Sequence, residues 1–175
     1  MDIVKKVTDS RTVMTELVMP NDTNPLGDLM GGNLMRWMDI AGGICAARHC
    51  EAHVVTASVD HVSFKRPIKV GDVITITATV TRAFNTSIEV YLKVKTGKVT
   101  QNEMATSNSA FMTFVALDPY THKPKQVPKF EPSSENERTL FESAERRREI
   151  RLILSGRMKA KDALGLKAYF STPED

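Results

Sequence analysis

The residue with the clearest chemical potential is Asp39, a carboxylate in an otherwise apolar segment. Between residues 34 and 47 the chain reads LMRWMDIAGGICAA, where the other charge is Arg36. A helix that is apolar nearly all round is typical of a buried position, in which a carboxylate must be paired, hydrogen-bonded or used in chemistry. Its neighbours on the helix are Met35, Met38, Gly42 and Gly43. The two glycines predict a gap on that face, wide enough for a slender ligand.

The elements that position Asp39 follow from the periodicity of the chain. Residues 13–18 predict a short apolar strand, and residues 19–28, MPNDTNPLGD, predict a turn-rich loop. A glycine pair, Gly31 and Gly32, then opens a long apolar helix that we expect to end near His49.

After this helix the sequence predicts strands. Residues 74–81 and 88–95 alternate apolar and polar side chains, which indicates one buried and one exposed face. Residues 54–64 and 104–117 are rich in β-branched and aromatic side chains but alternate less cleanly, as expected of inner strands or strands at an interface. The predicted fold class is α+β, a curved antiparallel sheet wrapping a central helix. Such a layer leaves a sheet edge and a helix flank uncovered, so we expect dimers or larger assemblies.

The last third of the chain has a different organisation. Residues 119–133 contain four prolines and predict an extended linker between a domain at 8–118 and a C-terminal segment at 134–175. Ser134 with Glu137 forms a capping-box pattern, and Gly156 follows the last periodic residue, so a helix over about 135–154 is predicted.

Composition narrows the function classes. The chain has 175 residues, 41% hydrophobic and 26% charged, which is typical of a globular domain. Neither a secretory signal nor an apolar run of membrane-spanning length is visible, so we expect a cytoplasmic location and no membrane partner. Cys45 and Cys50 lack a second ligand pair at metal spacing, so no metal site is expected.

The excess of positive charge is local. The net charge is +3, and the surplus is concentrated between residues 137 and 161, where the basic residues include Arg146, Arg147 and Arg148. Nucleic acid is one possible partner of such a surplus. Aromatic residues make up only 6% of the chain and none interleave with these arginines, so a solvated helix face or a small phosphorylated ligand is favoured over nucleic acid.

Four blocks of sequence, taken in order, resemble a known family. They are MPNDTNPLGDLMGG, MDIAGG, VVTASVDHVSFKRPIKVGD and SNSAFMTFVALD, within about residues 12–118. Together they are similar to the acyl-CoA thioesterases of the hotdog fold. The resemblance implies hydrolysis of acyl-CoA to a free acid and CoA. It also implies a homodimer with its sheets joined edge to edge, and usually a trimer of such dimers, a homohexamer.

The resemblance implies roles for individual residues. Asn24 and Asp39 match the two catalytic positions of the family, which face each other across the dimer interface. Asp39 would act as general base or as nucleophile, and Asn24 of the partner subunit would orient the water or the carbonyl. A poorly solvated carboxylate is a stronger base, which supports the role of Asp39. The backbone N–H groups of Gly31, Gly32 and Asn33 would stabilise the oxyanion. Many relatives carry Asn and His where this chain has Asp28 and Met30, so backbone donors are expected here.

A CoA ligand predicts basic and hydroxyl groups near the site. The candidates are Lys65, Arg66, Thr86, Ser87, Arg147 and Arg148. No cofactor is expected, because CoA would be substrate and product.

Several alternatives remain open at this stage. Asp39 could cap a backbone N–H, Asn24 could be an ordinary turn residue, and the glycine pair could serve close packing. A non-catalytic acyl-CoA sensor would use the same pocket without needing Asp39. Hotdog hydratases and dehydratases need a His near the helix start, and no His lies between Met1 and Arg48.

Overall fold

The core of the protein is built on two long strands with alternating side chains. In the structure, a computed structural model that describes residues 3–60, 62, 64 and 66–171, these strands are β4 (Asp72–Ala83) and β5 (Ser87–Lys98). They pair antiparallel, with Ile76 opposite Val94 and Ala78 opposite Leu92. All four side chains are fully buried, because their shared face packs against a helix.

Three more strands complete an antiparallel sheet. β6 (Ala105–Leu117) pairs with β5, β3 (His53–Asp60) pairs with β6, and β2 (Thr12–Leu17) pairs with β4. The strand order is β2-β4-β5-β6-β3, so β2 and β3 form the two edges. The predicted strands and their antiparallel arrangement are confirmed, except that β3 ends at Asp60 rather than at residue 64, and residues 61 and 63 of that prediction lie outside the described residues.

The helix that packs on this sheet is α2 (Gly31–Cys50), close to its predicted bounds. Its sheet-facing side is buried, and the buried apolar residues are Leu34, Trp37, Met38, Ala41, Cys45, Ala46 and Cys50. The opposite side is open in the single chain and carries Arg36, Asp39, Ile40 and Ile44, all exposed. The prediction of a helix buried nearly all round is therefore wrong for one chain. The apolar residues on the far side of α2 are not covered in the single chain.

The predicted gap at the two glycines of α2 is filled at Gly42. A Cβ on Gly42 would lie 2.8 Å from Cζ of Phe114, and one on Gly43 would lie 3.9 Å from Cε1 of the same ring. Phe114, on β6, is 1% exposed. Gly42 therefore lets an aromatic ring of the sheet approach the helix, and the expectation of a slender ligand is wrong at Gly42.

The chain ends of the first unit pair with each other. β1 (Val4–Lys5) lies parallel to β7 (Lys129–Phe130), and a short helix, α1 (Val7–Ser10), follows β1. Val127 and Phe130 are buried. The end of the proline-rich segment is therefore part of the packed first unit.

The chain divides into two compact units, Met1–Glu131 and Pro132–Asp175. In the second unit α3 (Glu135–Leu154) begins at Ser134, whose side chain accepts a hydrogen bond from the Glu137 N–H at 3.3 Å, so the predicted helix is confirmed. A further helix, α4 (Leu164–Ser171), was not predicted. Among the residues described, no helix has the length and apolar character needed to cross a membrane.

Candidate functional site

Asp39 lies in the middle of α2, on the side that faces away from the sheet core. Its Oδ1 accepts a hydrogen bond of 2.6 Å from the Thr56 hydroxyl. In the single chain Asp39 is exposed, so the expected apolar pocket around it is not present. The exposed apolar side chains next to it along the helix are Ile40 and Ile44, at 39% and 40% exposure, and Arg36 is exposed on the same side. A carboxylate therefore stands on an uncovered apolar surface, with one oxygen oriented and the other open.

Thr56 is a site residue that the periodicity did not identify. It lies on β3 opposite Phe114, and a bulge at Ala57 separates it from Ser58, which lies opposite Thr113. Without the bulge, Thr56 and Ser58 would share a face; with it, Thr56 faces α2 while Ser58 faces the other side of the sheet. The motif VVTAS contains Thr56, but the bulge that directs it towards Asp39 has no signal in the sequence.

Asn24 lies in the loop before α2 and closes a tight turn. Its Oδ1 accepts hydrogen bonds from the N–H groups of Leu26, at 2.9 Å, and Asp28, at 3.1 Å. Its own backbone N–H donates to the Asp28 carbonyl at 2.8 Å. These two donors identify the oxygen of the amide, so the Nδ2 end of Asn24 is the end that remains for a ligand. The turn role considered from the sequence and a ligand role are thus compatible.

Of the three backbone donors predicted at the start of α2, two have no partner among the described residues. The N–H groups of Gly31 and Gly32 have no hydrogen-bond partner among the described residues, as the first groups of a helix usually do not. The Asn33 N–H donates to the Met30 carbonyl at 3.0 Å, which satisfies it within the chain. A role for the Asn33 N–H as a third oxyanion donor stays a prediction, and it would require this bond to be shared or broken.

One chain does not bring the carboxylate and these donors together. Asp39 follows Gly31 by eight residues, which corresponds to about 12 Å along a helix axis. Groups that act on one carbonyl must lie within about 3 Å of the reacting atoms. Two surface cavities, of about 290 and 360 Å³, lie at the end of α2 and at the β5–β6 turn, and neither is lined by Asn24, Asp39 or Thr56.

Comparison with known proteins decides the family. The sequence model of the thioesterase superfamily matches residues 26–102. A Bacillus subtilis protein, the uncharacterized acyl-CoA thioester hydrolase YkhA, is 40% identical over 139 residues, which are 79% of this chain and 80% of that protein. The chain belongs to the thioesterase superfamily. Its predicted resemblance to the hotdog acyl-CoA thioesterases is confirmed, as is the predicted fold class.

Solved structures of acyl-CoA thioesterases share this fold. The acyl-CoA hydrolase of Staphylococcus aureus, in complex with butyryl-CoA, CoA and CoA disulfide, matches 88% of this chain and 95% of its own with a TM-score of 0.81 at 36% identity. An apo-hexameric acyl-CoA thioesterase matches 87% of this chain and 97% of its own, with a TM-score of 0.83 at 38% identity. The Staphylococcus aureus enzyme has also been solved with an aspartate, an asparagine or a threonine replaced by alanine.

The hydroxyl and basic groups predicted to bind CoA do not lie close together in the single chain. Arg66 is exposed and precedes the segment that leads into the start of β4, and Lys65 lies outside the described residues. Thr86 and Ser87 lie at the opposite end of β4, about 40 Å away along an extended strand of 12 residues. Ser87 also points to the face opposite that of the buried Ile88.

The predicted arginines of the second unit are engaged within their own helix. Arg147 donates to the Ser143 hydroxyl at 2.7 Å and to the Leu140 carbonyl at 2.9 Å. Arg148 pairs with Glu145 at 3.6 Å. These contacts are typical of a solvated helix face, and a role for Arg147 and Arg148 in CoA binding remains a prediction.

The cysteines and His49 are buried packing residues of this thioesterase fold. Burial raises the pKa of Cys45 to about 12 and that of Cys50 to about 11, so both thiols are protonated near neutral pH. Burial lowers the pKa of His49, whose Nε2 donates to the Pro128 carbonyl at 3.0 Å. In the described part of the chain, no three His, Cys, Asp or Glu side chains are grouped as metal ligands.

Proposed function

We propose that the protein hydrolyses acyl-CoA thioesters to a carboxylic acid and CoA, at a site completed by two subunits. The observation that carries this proposal is the Asp39 carboxylate on the uncovered side of α2, oriented by Thr56 at 2.6 Å. The family relationship supports the reaction, since YkhA is named as an acyl-CoA thioester hydrolase and the Staphylococcus aureus hydrolase was solved with butyryl-CoA and CoA.

Asp39 supplies the base or the nucleophile. Because Thr56 holds Oδ1, Oδ2 is the oxygen that can take a proton from water as the water attacks the thioester carbonyl. Alternatively, the carboxylate attacks the carbonyl carbon itself, and the resulting anhydride is cleaved by water. In both routes CoA leaves as a thiolate and then takes up a proton.

Asn24 and the start of α2 supply the donors for the oxyanion. The Asn24 oxygen is occupied by two backbone N–H groups, so Nδ2 is the group that donates to the carbonyl oxygen. The N–H groups of Gly31 and Gly32 add to it at the positive end of the helix dipole. This assignment favours orientation of the carbonyl over orientation of the water.

A second subunit is required by the spacing of these groups. Asp39 and the donors at Gly31 lie about 12 Å apart in one chain. Ile40 and Ile44 on α2 are exposed apolar residues, and β3 is an edge strand of the sheet, so a second copy could cover this side of the chain. The hexameric relative supports further assembly of dimers into a homohexamer. A cytoplasmic location stays a prediction.

The Staphylococcus aureus variants support the choice of residues. The asparagine and the aspartate replaced there are fifteen residues apart, and the aspartate and the threonine are seventeen apart. Asn24, Asp39 and Thr56 have the same two spacings.

The test is CoA release, followed with a thiol reagent, across a series of acyl-CoA chain lengths. Asp39→Asn keeps the shape of the side chain and should lower kcat at least about a hundredfold, with CoA affinity kept. Glu142→Gln, an exposed carboxylate on α3, is the matched control and should leave kcat unchanged. Unchanged turnover in Asp39→Asn would indicate an acyl-CoA sensor rather than an enzyme.

The requirement for two subunits is tested by mixing inactive variants. Asn24→Ala and Asp39→Asn are dissociated, mixed in equal amounts and reassociated. Half of the dimers then contain one copy of each variant. In such a dimer one of the two sites has both Asn24 and Asp39, so about a quarter of wild-type activity should return. If each site lay within one chain, the mixture would stay inactive.

A further inference from the structure

The position of Asn24 is set by Asp28. The two residues exchange two hydrogen bonds: the Asn24 N–H donates to the Asp28 carbonyl at 2.8 Å, and the Asp28 N–H donates to the Asn24 side-chain oxygen at 3.1 Å. The Gly27 N–H, which donates to the Asn24 carbonyl at 2.9 Å, closes the turn from inside. Any displacement of Asp28 therefore moves the amide of Asn24.

Asp28 is tied in turn to Lys69, outside its own loop. The two residues lie opposite each other in an antiparallel bridge, flanked by hydrogen bonds from Leu29 N–H to the Ile68 carbonyl, at 2.7 Å, and from Val70 N–H to the Gly27 carbonyl, at 3.1 Å. The Lys69 ammonium lies 2.5 Å from Asp28 Oδ1. That oxygen is shielded from solvent and accepts no hydrogen bond from the described residues, so the ion pair is what compensates its charge.

Lys69 is anchored to the sheet by Asp72, the first residue of β4. The Lys69 N–H donates to Asp72 Oδ2 at 2.9 Å, and the Asp72 N–H donates to the Lys69 carbonyl at 3.0 Å. Asp72 is 7% exposed, and its other oxygen pairs with Lys98 of β5 at 2.6 Å. A continuous set of contacts therefore runs from the sheet through Lys69 and Asp28 to Asn24.

We propose that Lys69 and Asp28 are positioning residues that hold the Asn24 amide in the position needed for catalysis. This inference rests on the proposed function, in which Asn24 donates to the thioester carbonyl. Without the ammonium, Asp28 Oδ1 is a shielded oxygen without a partner on a side chain that is 20% exposed, and the turn shifts until water reaches that oxygen. Since Asn24 is bonded to Asp28 at both its backbone and its side chain, the amide shifts with the turn.

The inference is tested by variants of the pair. Lys69→Met should lower kcat about tenfold, because a displacement of about 1 Å in a donor has effects of this order or larger, while KM changes less than about twofold. Lys69→Arg keeps the charge and should recover most of kcat. Adding Asp28→Asn to Lys69→Met removes the uncompensated charge and should also recover kcat. Lys5→Met breaks an ion pair of 2.6 Å with Glu51 and serves as the control, with kcat unchanged.

Two results would overturn the inference. A rise in KM for acyl-CoA with kcat unchanged would mean that Lys69 contacts the phosphates of the substrate. A loss of kcat in Lys69→Met that persists in the Asn24→Ala background would mean that Lys69 acts on another group. The proposed function has a separate failure, since it requires that Asn24→Ala alone reduces kcat; if it does so while Lys69→Met is fully active, only the positioning role is lost.

Discussion

The contact between Gly42 and Phe114 provides a stability prediction with a matched control on the same helix. Gly42→Ala would bring a methyl group within 2.8 Å of Cζ and 3.1 Å of Cε2 of Phe114, and within 3.6 Å of Leu92. The ring is 1% exposed and Leu92 is fully buried, so neither side chain can move without displacing other parts of the core. Gly43→Ala places its methyl 3.9 Å from the same ring, an ordinary contact.

The magnitudes follow from two opposing effects. Replacing glycine by alanine inside a helix stabilises it by about 1 kcal/mol. Forcing one extra methyl group into a packed core costs about 1 to 3 kcal/mol. Gly43→Ala receives the first effect alone, while Gly42→Ala receives both. The free energy of unfolding should therefore be lower in Gly42→Ala than in Gly43→Ala by about 1 to 3 kcal/mol.

The assay is urea and thermal unfolding of the full chain at one fixed protomer concentration, because the stability of an oligomer depends on concentration. Phe114→Leu replaces the ring with a smaller side chain, so it should reduce the difference in free energy of unfolding between the two alanine variants. Equal stabilisation by both alanines would refute the close packing of Phe114 against Gly42.

Two further predictions follow from buried titratable groups. Burial lowers the pKa of His49 below its usual 6.5, so the unfolded chain takes up a proton first as the pH falls, and the stability that is complete above pH 6.5 declines below it. His49→Gln should flatten the dependence of Tm on pH between about 7.5 and 5.5, and an unchanged slope would contradict this. The raised pKa values of Cys45 and Cys50 keep their thiols protonated, so a thiol reagent should label them only after denaturation. Rapid labelling of the native protein would contradict their burial.

Local patterns in the sequence were sufficient to predict the regular elements. β4 and β5 alternate because one face packs on α2 and the other does not, and this period is visible in the residues themselves. The start of α2 was predicted from the glycine pair, and the start of α3 from Ser134 and Glu137. The second helix of the C-terminal unit was missed: α4 begins at Leu164 with two of its N–H groups bonded to the Glu149 carboxylate, a contact over sixteen and seventeen residues that no local pattern contains.

The residues of the candidate site were found from the sequence, but their surroundings were not. Asp39 stood out as a charge among apolar residues, and Asn24 was identified through the resemblance. A pattern that is apolar all round predicts burial without saying which surface provides it. In the structure the sheet covers one side of α2 only, so Asp39 is exposed in the single chain, and the proposed second subunit is what would cover it.

The sequence by itself determined the order of β2, α2 and the four later strands of the main sheet, the family and the two side chains proposed for catalysis, because these depend on residue type and on spacing along the chain. Only the tertiary structure decided that Thr56 orients Asp39, that Phe114 fills the glycine gap and that Lys69 compensates Asp28. Each of these contacts joins residues far apart in the chain, and each depends on a bulge, a register or a loop pairing that is set by the packing of the whole unit.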